Sequence, residues 1–219
     1  MRDIKYSCLV FDHDDTVVNS TATLHYPSFI EYLKIYRPGM SCTLRDYFIK
    51  NFDPGFVPMC VGDYHMSGED LETETEFWKN YVKGRIPEAY PGIKEIMERQ
   101  KAGGGKTAVI SHSFRENILR DYRANGLPEP DLIYGWEQPP ERRKPSVWPL
   151  EDIMEKFGLA PSELLVIDDL KPGYNMAKDA GVPFAAAGWA YDIPEIEGFM
   201  RKNCGLYFKT VEELGKFLT

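Results

Sequence analysis

The chain has 219 residues, 43% of them hydrophobic and 13% aromatic, with a formal net charge of −8. That length suits one large domain, or one domain carrying a sizeable insertion, and the apolar content excludes wholesale disorder. The acidic balance argues against a general affinity for nucleic acid or for an anionic membrane surface, since both require a basic footprint.

In chain order, the first predicted element is an apolar strand, Cys8–Phe11, running directly into the acidic stretch "DHDD" that contains Asp12, Asp14 and Asp15. Residues 19 to 88 then show helical patterns and no strand. Phe29, Ile30 and Leu33 form one patch, Leu44, Tyr47 and Phe48 a second, and Phe77, Trp78, Tyr81 and Val82 a third, with Pro38-Gly39, Pro54-Gly55 and Gly62 as punctuation. Beyond them, "GIKEIMERQKAGGG" places Ile93, Ile96 and Met97 on one helical face that ends at the glycines from Gly103. Strands are predicted at Thr107–Ser111, Leu132–Tyr134, Leu164–Asp168 and Val182–Ala187. A helix with the stripe Val147, Leu150, Ile153, Met154 and Phe157 stops at Gly158. A last helix starts with a capping box, Thr210 and Glu213. Strands without polar alternation, joined by helices, predict a parallel sheet covered on both faces.

Ligands of an open parallel sheet bind beyond the carboxyl ends of its strands. Asp12, Ser111 and the pair Asp168 and Asp169 each end a predicted strand, and Lys144 lies on the connection after the third. Carboxylates, a hydroxyl and a lysine are thus expected at one edge, a setting suited to a hard divalent cation such as Mg²⁺. An EF-hand reading fails, because Val17 stands where glycine is needed and Thr23 where the terminal Glu belongs. "GGGKT" is no P-loop: Gln100 occupies the first glycine position and the segment precedes a strand.

These residues carry a resemblance to the haloacid dehalogenase-like superfamily, specifically its phosphoglycolate phosphatase-like and β-phosphoglucomutase-like members. "DHDDT", "VISHS", "RKPSVWPLEDIMEKFG" and "LLVIDDLKPGYNMAKDAG" match its four motifs in order. The resemblance implies an α/β fold: a Rossmann-like three-layer α/β/α core with a parallel sheet, residues 1–18 and 89–219, and an inserted helical cap domain, residues 19–88. It implies a Mg²⁺-dependent phosphatase that hydrolyses a small phosphorylated metabolite through an aspartyl-phosphate. The alternatives are a phosphomutase of the β-phosphoglucomutase type or a low-turnover Mg²⁺- and phosphate-binding regulatory protein. Asp12 is then the nucleophile, Asp14 the general acid/base and Lys144 the phosphate-stabilising cation. Ser111, Thr16, His112 and His25 are the expected substrate-side residues, and Asp12, Asp14, Asp168 and Asp169 the metal ligands.

Three positions depart from the family pattern. Asp15 replaces the usual glycine, Val147 replaces a frequent proline, and Gly173 stands where a further aspartate is common. His13 is read as an outward or core-packed side chain. Four scattered cysteines, no apolar stretch long enough for a signal peptide and no run of membrane-spanning length predict a cytoplasmic protein. A monomer or homodimer is expected, with a small phosphorylated metabolite as its partner and neither nucleic acid nor membrane.

Overall fold

A computed structural model describes residues 4–219; residues 1–3 of the expected core segment lie outside it. The apolar runs become one six-stranded, wholly parallel sheet. Its strands are β1 (Cys8–Phe11), β2 (Lys106–Ile110), β3 (Leu132–Tyr134), β4 (Leu164–Asp168), β5 (Phe184–Ala187) and β6 (Leu206–Phe208), in the order β3-β2-β1-β4-β5-β6. β2 closes at Ile110, so Ser111 opens the following loop. β5 begins two residues later than predicted, because the Val182 N–H is committed to the Ala177 carbonyl of the preceding helix. β6 was not predicted; three half-buried residues at a sheet edge are too few to display a period.

The helices are α1 (Tyr26–Tyr36), α2 (Leu44–Phe52), α3 (Phe56–Tyr64), α4 (Gly68–Val82), α5 (Ile93–Ala102), α6 (Arg115–Ala124), α7 (Trp148–Phe157), α8 (Lys171–Asp179), α9 (Pro194–Asn203) and α10 (Val211–Phe217). Gly158 ends α7 in the left-handed conformation, φ 65°, and Thr210 and Glu213 form the predicted capping box on α10. Gly62 is no punctuation mark: it lies inside α3.

The chain divides into two compact units, one running to Asn19 and resuming at Glu88–Thr219, the other Ser20–Pro87. The first holds the sheet. Leu9, Phe11, Val109, Leu165 and Ile167 pack into one core with Ile93 and Met97 of α5, Ile118 and Tyr122 of α6 and Leu214 of α10. The alternate strand residues Cys8, Val10, Ala108, Leu164 and Val166 are equally buried, as are Leu150 and Ile153 of α7 and Met176 and Ala177 of α8. Burial of both side-chain sets explains why the strands lack polar alternation, and gives the three-layer, Rossmann-like α/β architecture. The second unit is helical, with its own aromatic core around Phe29, Tyr32, Tyr47, Met59 and Tyr64. Among the described residues no helix is long and apolar enough to cross a membrane.

Candidate active site

The strand order reverses direction at β1, which has β2 on one side and β4 on the other. That is the topological switch point, where the loops beyond adjacent strands part and leave a crevice. Asp12 leaves β1 there, held by its own N–H to the Ile167 carbonyl of β4 at 2.9 Å, and Asp168 and Asp169 stand at the end of β4. Ligand atoms of Asp12, Asp168 and Asp169 lie within 4.8 Å of one another, and all three residues are buried. Lys144 reaches them from the β3–α7 connection. Its ammonium donates to Asp12 Oδ1 at 2.6 Å and to Asp168 Oδ2 at 2.8 Å.

Three carboxylates against one ammonium leave negative charge in excess. Burial pushes the Asp12 carboxyl up to about 7; Lys144 opposes that shift, and the charges of Asp168 and Asp14 add to it. Asp169 is raised well above the ordinary carboxylate range by burial and then by Asp168 and Asp15. Burial alone would disfavour the Lys144 ammonium, but Asp12 and Asp168 outweigh it and hold the proton more tightly. The donor set is all oxygen, buried and over-negative, which fits a hard divalent cation of the Mg²⁺ class.

Asp14 is a partial exception to expectation. It is half-buried, and its carboxylate accepts from Ser113 Oγ at 2.7 Å and Ser111 Oγ at 3.4 Å. It is not one of the three residues whose ligand atoms lie within 4.8 Å of one another. Thr16 is fully buried and donates to Asp169 Oδ1 at 3.2 Å. The ring of His112, an exposed residue, lies 3.2 Å from the Lys144 carbonyl and meets Trp136 edge-on. His25 belongs to the helical unit, where its Nδ1 accepts from the Trp78 indole at 2.8 Å.

Sequence reasoning missed several neighbours of these groups. Ser113, the second serine of "SHS", was legible as a repeat of the hydroxyl. Tyr191, which donates to Asp169 Oδ2 at 3.1 Å, carried no signal. Asp15 faces inward: it is buried, and its φ of 58° explains how it replaces glycine, since aspartate tolerates the left-handed region better than most residues. Gly173 is required by space, for a Cβ there would stand 2.1 Å from Asp168 Oδ2. An aspartate does not fit at that position in this chain.

The family model for haloacid dehalogenase-like hydrolases matches residues 9–187, and the chain belongs to that family. Its relatives place it among the family's phosphatases. Phosphoglycolate phosphatase of Aquifex aeolicus is 32% identical over 196 residues, covering 84% of this chain and 85% of the relative. Pyrophosphatase PpaX of Halalkalibacterium halodurans is 27% identical over 198 residues, with 85% and 86% covered. In fold, the chain is similar to a predicted phosphoglycolate phosphatase from Haemophilus somnus, with a TM-score of 0.78, 21% identity and coverage of 98% and 99%.

Proposed function

We propose that the protein is a Mg²⁺-dependent phosphatase that hydrolyses a small phosphorylated metabolite through an aspartyl-phosphate on Asp12. The observation that carries this reading is the Lys144 ammonium held between the Asp12 and Asp168 carboxylates, with Asp169 beside them. Asp12, Asp168 and Asp169 would hold the ion, which supplies charge neutralisation on the phosphoryl oxygens.

Asp12 attacks phosphorus from a rigid strand end, dividing one displacement into two easier ones. Lys144 offsets charge on the transferring group, and Ser111 donates to its oxygens. Asp14, half-buried and outside the carboxylate group, gives a proton to the leaving oxygen and afterwards takes one from the attacking water. Thr16 steadies Asp169, and Lys144 is braced at its carbonyl by His112. The helical unit acts as a cap, and His25 is its candidate substrate contact. Cys8, Cys42, Cys60 and Cys204 are free thiols, which fits a cytoplasmic setting.

The test is phosphate release from a panel of phosphoglycolate, pyrophosphate, sugar phosphates and p-nitrophenyl phosphate, with Mg²⁺ and with chelator. Turnover should require the metal, and Asp12→Asn should fall to background while keeping its melting temperature. Undiminished turnover in that variant would move the nucleophile elsewhere. A folded protein inactive on the whole panel would refute the phosphatase reading.

A further inference from the structure

The residue between the two aspartates of the first loop is a buried histidine, and the catalytic reading gives it no task. His13 is 1% exposed, and its Nε2–H donates to Asp121 Oδ2 on α6 at 3.2 Å. Among the described residues its Nδ1 has no hydrogen-bond partner, so the Asp121 bond is the ring's one polar tie there. The ring also stacks on Tyr122, with centroids 5.9 Å apart and planes inclined at 27°. Asp121 is 3% exposed, and its other oxygen accepts from Arg120 Nε at 2.8 Å.

The backbone around His13 is tied lengthwise. Asp12 N–H bonds β4, the His13 carbonyl accepts from Val17 at 2.9 Å and Val18 at 3.1 Å, and Asp15 N–H reaches Val18 at 2.8 Å. None of these bonds ties the loop to β2 or α6. Side-chain contacts that do so include Asp14 to Ser111 and Ser113 beyond β2, and His13 to Asp121 two turns into α6. A buried carboxylate–imidazole pair is directional, whereas apolar packing is not, and burying it is costly unless both partners remain in register.

We infer that His13 and Asp121 form a buried clamp that sets the orientation of the Asp12–Asp14 loop against α6, making both positioning residues for the proposed phosphoryl transfer. The inference rests on the phosphatase reading. Both act through Asp12 and Asp14 and touch no substrate. Displacing a nucleophile or proton donor by about 1 Å costs up to ~100-fold in rate, and the loss falls mainly on kcat because Lys144, Ser111, Asp168 and Asp169 stand on other segments and keep their places for ground-state binding.

The experiment compares His13→Gln with His13→Asn, using p-nitrophenyl phosphate and Mg²⁺ well below each variant's melting temperature. A Gln Nε2 reaches where the histidine Nε2 stood, and an Asn Nδ2 does not. His13→Gln should stay within ~3-fold of the parent kcat, and His13→Asn should lose ~10- to 100-fold with KM changed less than ~3-fold. Asp121→Asn keeps an acceptor and should behave as His13→Gln does. The His13→Asn/Asp121→Leu double variant should be no slower than the worse single variant, since both remove one bond. Should the leucine-containing variant fail to fold, the Gln and Asn pair decides the matter alone. Equal kcat in those two folded variants, with only the melting temperature lowered, overturns the clamp and leaves the phosphatase reading standing. A parent protein without turnover on any phosphate ester overturns both.

Discussion

Asp14 shows how far a single side-chain direction can decide a role. It accepts from two serine hydroxyls beyond β2 and lies outside the group of Asp12, Asp168 and Asp169, and the proposed function makes it the proton donor to the leaving group. Asp14→Asn should therefore slow an alkyl phosphate at least ~10-fold more than an aryl phosphate, whose leaving oxygen departs with less protonation. Steady-state rates on phosphoglycolate and p-nitrophenyl phosphate check this, and equal losses would contradict the acid role. Gly173 is a steric counterpart. A methyl group in Gly173→Ala must displace the Asp168 carboxylate that Lys144 grips, at a cost of about 1–3 kcal/mol. Thermal denaturation should show the loss, with kcat falling in parallel; an unaltered melting temperature would mean α8 shifts freely.

At the scale of elements, α4 carries an unusual residue. Glu74 is 5% exposed, and burial pushes its carboxyl up to about 7 from an ordinary 4.5, with His25 acting against the shift. Tyr32 of α1 and Cys60 of α3 are its other titratable neighbours, each raised in part by its charge. Between pH 4.5 and 7 the folded state keeps a proton that the unfolded chain has released. Stability of the helical unit therefore falls as pH rises across that window, by up to roughly 3 kcal/mol, and levels off above it. Glu74→Gln should remove this slope. Melting curves of parent and variant should diverge progressively from pH 4.5 to 7; parallel curves would assign the pH dependence to other groups.

On the scale of the whole molecule, the chain leaves the sheet-bearing unit after Asn19 and re-enters it at Glu88. The Asn19 N–H donates to the Glu88 carbonyl at 2.9 Å, and Val18 forms an antiparallel bridge with Ala89. The two crossing points of the chain are thus adjacent, and the sheet unit has its own core. A short Gly-Ser linker replacing residues 20–87 should leave a cooperatively folding protein. If the helical unit is a cap, this protein should still hydrolyse p-nitrophenyl phosphate but discriminate ~10-fold less among metabolite phosphates. An unchanged substrate profile would deny the helical unit a part in specificity.

Much of this protein was legible in the linear chain. The strands Cys8–Phe11 and Leu164–Asp168 announced themselves as apolar runs with no polar alternation, because both faces of a parallel sheet are buried. The caps at Gly158 and Thr210 are local chemistry, and so are the acids that follow the strands. Tertiary structure decided which of those acids meet. Lys144 bonds a carboxylate 132 residues away and another 24 residues away, and no local pattern encodes such a pairing. The turning of Asp14 toward Ser113, the inward Asp15, the clamp of His13 on Asp121 and the exclusion of a side chain at Gly173 all depend on backbone torsions and on segments brought together by the sheet order. Periodicity places a residue at the end of a strand; only the packed neighbours determine where its carboxylate points.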